Sequence, residues 1–314
     1  MLAGPFPSMK PGKPKIVILL GPTAVGKTDL ALALASEFGG EIVSADSMQV
    51  YRHLDIGTSK PTLQERKKVP HHLIDVVEPD DEFSAARFRE MADSIIADLD
   101  GRKAVFVVGG TGLYIRTLTG GLIDAPDEGL RKSYREALEG QDSESLHGRL
   151  RQVDPAAAGR IHPRDKVRIV RALETAELTG EPISVKQRRH GFRDVRYEAL
   201  KIGLYRDREE LYRRIDSRAV QMVEAGLVAE TEKILGMGYD EKLKPLRTLG
   251  YRYFIRYLKG CMDLGDALRS MQRDTRHYAR RQMTWFRGEA AIEWFHPDAA
   301  DAVASRIATF LRRG

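Results

Sequence analysis

The run Ile16 to Leu34, IVILLGPTAVGKTDLALAL, constrains this chain more than any other stretch. An unbroken apolar segment leads into Gly21-Pro22-Thr23-Ala24-Val25-Gly26-Lys27-Thr28, a complete G-x-x-x-x-G-K-S/T phosphate loop, and an Ala/Leu-rich helical segment follows it. Strand, turn and helix in that order aim backbone N–H groups at phosphate oxygens, where unpaired donors and the helix dipole both favour negative charge. Gly21 to Thr28 are therefore expected to bind phosphate, Lys27 as a point charge and Thr28 through a hydroxyl placed to hold Mg2+. The motif leaves open which phosphate compound binds and what is done to it. It does imply an α/β fold: a P-loop NTPase-like parallel sheet flanked by helices.

The segments that follow fill out such a sheet. Glu41 to Ala45 reads as a short buried strand with Asp46 at its C-terminal tip, the side of an open α/β sheet where ligands bind. If this strand neighbours the first, that carboxylate faces the loop. Leu73 to Val77 reads as a third strand, led by His71 and His72, which point to opposite faces and make a poor metal pair. Ser84 caps an expected helix over Ala85 to Leu99. Ala104 to Val108 is the next buried strand, and it ends in Gly109-Gly110-Thr111-Gly112. Phosphate-loop hydrolases place an acid there to organise magnesium and water. With none present, Asp46 is the main acid near the loop. The glycines are expected to let the backbone approach a ligand, with the Thr111 hydroxyl at the site mouth, although a tight turn before a helix at Leu113 accounts for the same residues.

Strand signals vanish between Ala125 and Val195, which divides the chain into a flexible leader over 1–14, a core of 15–124 and 196–314, and an all-helical insertion over 125–195. Inside the insertion the patterns predict helices over Leu130 to Leu138 and Ser145 to Val153, then one from Pro163 that ends before Gly180. On that last helix Arg164, Arg168 and Arg171 share a face, Ile169, Val170 and Leu173 turn away, and Gln187 to Gly191 reads as a charged loop. The core resumes with a strand over Tyr197 to Leu204. A helix from Arg208 then carries Leu211, Ile215, Ala219 and Met222 inward with Arg218 at the stripe's edge. An inward arginine needs an anion, either a core carboxylate or a bound phosphate. Arg269, Arg273, Arg276 and Arg280 form a second basic stripe, ahead of a strand at Ile292 to Phe295 and a surface helix from Ala299 to Leu311.

The formal charge of +6 and the two arginine ridges suit a nucleic-acid partner. No apolar run reaches the ~18 residues of a membrane helix. The basic leader lacks the apolar core of a secretory signal, and the lone Cys261 offers neither an internal disulfide nor a structural zinc site, so no membrane partner and a cytoplasmic setting are expected.

Taken in order, Gly21 to Thr28, Ser44-Ala45-Asp46-Ser47, Asp55-Ile56-Gly57-Thr58, Val108-Gly109-Gly110-Thr111, the Arg160-Ile161-His162-Pro163 lead into the Arg168/Arg171 helix, and Thr275-Arg276 through Arg280-Arg281-Gln282-Met283-Thr284-Trp285 span nearly the whole chain. In these motifs it resembles the bacterial tRNA dimethylallyltransferases, also called tRNA isopentenyltransferases. The resemblance implies transfer of a dimethylallyl group from dimethylallyl diphosphate to the exocyclic amine of the adenosine 3′ of the anticodon. The loop would then hold a leaving diphosphate, with Lys27, Thr28, magnesium and Arg218 stabilising its charge. Arg214 and Arg218 compete for that last role. Asp46 would be the general base for the amine, and Thr111 would lie along the channel where base and diphosphate meet. Asp46, Ser47, Met48 and Gln49, then Val167, Arg168, Ile169, Val170 and Arg171, and the helix carrying Arg276 and Arg280 would contact the tRNA anticodon stem-loop. The chain stops soon after its last helix, so the zinc-finger extension of eukaryotic relatives is not expected, and neither is an oligomer. The nearest rival is a cytokinin-type enzyme acting on free adenosine phosphates; a small-molecule kinase and a non-catalytic RNA-binding module are more distant ones.

Overall fold

The computed structural model describes residues 12–123 and 128–312; most of the expected leader and the expected insertion start at Ala125 lie outside them. In chain order the elements are β1 (Lys15–Leu20), α1 (Lys27–Glu37), β2 (Glu41–Ser44), α2 (Leu63–Lys68), β3 (His71–His72), α3 (Ala85–Leu99), β4 (Val105–Gly109) and α4 (Gly112–Gly120). Helices α5 (Glu128–Leu138), α6 (Ser143–Val153), α7 (Pro155–Ala158), α8 (Lys166–Thr179) and α9 (Ile183–His190) follow. The chain closes with β5 (Glu198–Leu204), α10 (Arg208–Glu224), α11 (Leu227–Gly236), α12 (Arg252–Leu258), α13 (Leu264–Arg287), β6 (Ile292–Phe295) and α14 (Ala300–Arg312). Two compact units result, Met1–Thr119 with Arg196–Gly314, and Gly120–Val195.

The first unit is built on one sheet of order β3-β2-β4-β1-β5-β6, parallel throughout. Parallel strands need helical crossovers, so both faces are covered and the strands read as apolar runs. Alternation assigns the faces. Ile16, Ile18 and Leu20 join Val105 and Val107 beneath Phe88, Ile96, Tyr114, Phe254 and Met271, whereas Val17 and Leu19 join Phe106 and Ile202 against Leu30, Leu34, Ile307 and Phe310. The sheet order changes one premise: β2 pairs with β4 and not with β1.

The expected third strand over Leu73 to Val77 is also corrected. The pairing falls two residues earlier, at His71 and His72 alongside Ile42 and Val43. Leu73 and Asp75 take positive φ values of 61° and 56°, which breaks the extended chain. The two histidines are tied locally, His71 Nδ1 to the Val69 carbonyl at 2.7 Å and His72 Nε2 to Glu41 at 2.7 Å.

The second unit carries α5 to α9 around its own small core of Leu138, Leu146, Leu150, Ile169 and Leu173. Helix α8 begins at Lys166 with Asp165 as its cap, the Asp165 carboxylate accepting from the Arg168 N–H at 3.2 Å. The expected start at Pro163 is therefore wrong, and Arg164 lies outside the helix whose face it was to share. Gln187 to His190, read as loop, forms the end of α9, closed by Gly191 in the left-handed region.

Candidate active site

In the phosphate loop, four of the carbonyls between Gly21 and Val25 are held by cationic side chains. Lys27 Nζ donates to the carbonyls of Gly21 at 3.0 Å and Pro22 at 2.7 Å, Arg214 Nε to Ala24 O at 3.0 Å, and Arg206 Nε to Val25 O at 3.0 Å. A trans peptide points its N–H opposite to its C=O. Fixing the carbonyls of Ala24 and Val25 therefore aims the N–H groups of Val25 and Gly26 the other way, toward the start of α1. Gly26, at φ 109°, makes the left-handed turn that starts α1 there. Among the described residues none accepts from the N–H of Val25, Gly26, Lys27 or Thr28. Four unpartnered donors beside a helix N-terminus form an anion nest.

The electrostatics agree. Burial lowers the Lys27 ammonium to about 7; Asp46 pulls it back up and Arg218 pushes it further down. Burial likewise lowers Arg218, against the raising influence of Asp46 and Asp29, while Arg214 adds repulsion. Lys27, Asp46 and Arg218 thus lie within electrostatic reach of one another. No described carboxylate lies within ion-pair distance of Arg218, which removes the core-carboxylate explanation for that inward arginine. Arg214 is exposed and already bonded to the loop.

Asp46 follows β2, with β4 between it and the phosphate loop. Its Oδ1 accepts from the N–H of Met48 at 2.8 Å and of Gln49 at 3.4 Å, and no described residue donates to Oδ2. Thr111 braces this turn: its Oγ1 accepts from the Ser47 N–H at 3.1 Å, and its own N–H donates to Ala45 O at 3.3 Å. Gln49 faces inward, its amide donating to Ser59 O at 3.2 Å and accepting from Ser44 Oγ at 2.9 Å, while Met48 packs on the core.

The turn after β4 needs its glycines for close packing within the protein. A Cβ on Gly109 would lie 2.2 Å from the Ala45 carbonyl, one on Gly110 2.3 Å from Gln282 Nε2, and one on Gly112 2.3 Å from the Trp285 ring. The glycines admit neighbouring protein groups at close range. Gln282 and Trp285 come from α13, and Arg116 stacks on the Trp285 ring at 4.2 Å while bonding Glu289. Sequence reasoning quoted Gln282 in a motif without giving it a role, and it left out Arg206. Both meet the loop across more than 180 residues of chain, and long-range pairing of that kind leaves no local pattern.

The arginine ridges need revision as well. Arg171 is half-buried and joins Arg131 and Arg135 around the fully buried Glu174. Burial alone would raise the Glu174 carboxyl, but hydrogen bonds from Arg131 and Arg135 and the charge of Arg171 hold it below the usual range. Ile169 is 0% exposed, so it serves the small core and presents no surface to RNA. Val167 is 81% exposed, Arg168 is exposed, and Val170 is intermediate. On α13, Arg269, Arg273 and Arg276 are paired with Asp266, Asp274 and Asp216, so the stripe is partly neutralised; Arg280 is exposed without an ion-pair partner among the described residues. No described group of three or more His, Cys, Asp or Glu side chains is arranged to hold a metal.

Comparison with known proteins decides the family. The model described as "IPP transferase" matches residues 49–289. The chain belongs to the IPP transferase family. Among IPP transferase relatives, it is 51% identical over 302 residues to a protein of Geotalea uraniireducens named "tRNA dimethylallyltransferase 2", covering 95% of this chain and 97% of that one. The solved structure of the full-length tRNA isopentenylpyrophosphate transferase of Bacillus halodurans shares 38% identity at a TM-score of 0.70, over 95% of this chain and 97% of that one. A eukaryotic dimethylallyltransferase, solved acting on tRNA, shares 30% identity at a TM-score of 0.79, over 94% of this chain and 77% of that one. Among the described residues no helix is long and apolar enough to cross a membrane.

Proposed function

We propose that this protein transfers a dimethylallyl group from dimethylallyl diphosphate to the exocyclic amine of the adenosine 3′ of the anticodon in tRNA. One observation carries the reading: an anion nest with Lys27 and Arg218 lies within electrostatic reach of a carboxylate, Asp46, with one oxygen unengaged, while the β4 tip lacks the acid a hydrolase needs. The nest holds the diphosphate as a leaving group. As the amine nitrogen forms its bond to the first allylic carbon, the bond from that carbon to the diphosphate oxygen breaks, and the electron pair leaves with the diphosphate. Lys27, Arg218 and the loop N–H groups meet charge that grows in the transition state, where such contacts raise the rate. Asp46 Oδ2 takes the amine proton, its Oδ1 being held by Met48 and Gln49. Thr111 is a brace for that carboxylate's turn.

The donor set fits magnesium. Thr28 offers a hydroxyl at the start of α1 and the described residues supply no carboxylate cage, as suits an ion carried largely by phosphate oxygens and water. When bound, the ion would neutralise part of the diphosphate charge. Arg168, with Val167 beside it on the exposed side of α8, and Arg276 and Arg280 of α13 supply phosphate contacts to the RNA. The reading is tested by incubating the protein and magnesium with labelled dimethylallyl diphosphate and either unmodified tRNA or free AMP. Label moves to tRNA if the reading is right; transfer to AMP alone, or phosphate transfer from ATP without prenylation, defeats it. Asp46→Ala lowers kcat by about 100-fold or more while tRNA affinity stays near that of the parent; turnover at the parental rate would remove Asp46 as the base.

A further inference from the structure

Gln282 joins two parts of the site from far along the chain, 259 residues from one and 172 from the other. Its Oε1 accepts from the Thr23 N–H of the phosphate loop at 2.9 Å, and its Nε2 donates to the Gly110 carbonyl at 3.0 Å. An N–H can only donate and a carbonyl can only accept, so the two partners fix the amide's orientation. The side chain is 7% exposed, and a buried amide with both ends matched is a rigid link. Gly110 leads straight into Thr111, which braces the Ala45 to Ser47 turn and with it Asp46. One step along α13, Trp285 packs on Gly112 of the same turn.

We propose that Gln282 is a positioning residue that fixes the diphosphate loop to the Thr111 turn, and so sets the leaving group's place relative to Asp46. The inference rests on the prenyl-transfer reading. Only a side chain of that shape with one donor and one acceptor at its tip satisfies both ends. Leucine satisfies neither, and ionised glutamate turns a second oxygen toward the Gly110 carbonyl, whereas protonated glutamate restores one donor and one acceptor. Gly110 is part of the same device, because any Cβ there meets the Gln282 amide.

The test is steady-state kinetics of the parent, Gln282→Leu, Gln282→Glu, Gly110→Ala and the Gly110→Ala/Gln282→Leu double variant, with melting temperatures alongside. Misplacement on the order of 1 Å costs about 100-fold in rate, so Gln282→Leu is expected to lower kcat by about 10- to 100-fold with the KM for tRNA unchanged. The Gln282→Glu deficit, taken relative to the parent at each pH, should narrow as pH falls from about 8 to 6, since burial keeps that carboxyl protonated to higher pH. Gly110→Ala should slow the parent yet add little to Gln282→Leu, because the clash it creates is gone. A Gln282→Leu kcat at the parental value overturns the proposal. So does a loss that follows melting temperature, ignores pH in Gln282→Glu and adds independently to that of Gly110→Ala. Should the parent fail to prenylate tRNA, the functional reading falls by itself. Calorimetric binding of inorganic diphosphate then decides the matter: weakening by Gln282→Leu supports the link, and unchanged affinity overturns it.

Discussion

At neutral pH Lys27 stands near its own midpoint, because burial opposes its charge and no anion in the protein fully answers for it. A bound diphosphate supplies that anion and raises the ammonium's pKa, so binding draws a proton onto Lys27 in solutions above about pH 7. Calorimetry of inorganic diphosphate in buffers of different ionisation enthalpy measures this uptake as the difference between the parent and Lys27→Met. The difference should approach one proton near pH 8 and shrink as pH falls below 7. For stability the sign is that of any group whose folded pKa lies below its unfolded one. Between about 7 and 10.5 the unfolded chain binds the proton that the folded one lacks, so the Lys27 contribution to stability improves as pH rises through that window. This residue, with Asp46 and Thr111, was legible from local motifs: a spacing, a strand tip, a hydroxyl after glycines. Gln282 and Arg206 were not, since their partners are set by how α13 and the chain after β5 pack against a distant loop.

Among the elements, α8 best separates surface from core. Sequence periodicity divided its residues into an arginine face and an apolar face, but the resemblance then assigned a whole run, Val167 to Arg171, to RNA. Burial splits that run. Ile169→Ala opens a cavity in a small core and should destabilise the helical unit by about 2–4 kcal/mol, whereas Val167→Ala, at a side chain 81% exposed, should leave thermal stability unchanged. Glu174 makes a second prediction for the same helix. Its depressed carboxyl contributes stability above the unfolded pKa that is lost as pH falls through the lower folded value. Glu174→Ala leaves Arg131, Arg135 and Arg171 crowded without their shared anion, at a cost of about 3 kcal/mol or more. Amide hydrogen exchange should then quicken across α5 and α8 while the β1, β4 and β5 amides keep their protection. The start of α8 was misread because Pro163 suits a first helical turn, whereas Asp165 offers the better cap two residues later.

At the scale of the whole molecule, the +6 charge understates its organisation, since many of its arginines are paired within the fold. Paired surface arginines exchange one anion for another at little cost, so the ridges are still able to meet phosphate. tRNA affinity should fall linearly on a logarithmic salt axis, and removing Arg168 or Arg280 should each weaken binding and reduce the slope by about one phosphate's worth. Unchanged slopes in both variants would take those residues out of the interface. The parallel sheet, its buried strands and the α/β class followed from apolar runs broken by turn residues. Strand order did not, because periodicity says which face a residue occupies and nothing about which strand lies beside which.

That order has a geometric consequence. The phosphate loop follows β1 and Asp46 follows β2, with β4 hydrogen-bonded between them. Strands in a sheet repeat every ~4.8 Å, so under the proposed reaction its donor and acceptor ends would begin about 10 Å apart by backbone spacing alone. The sheet acts as a ruler: two strand spacings set the gap between those ends, which side-chain substitutions trim but do not reset.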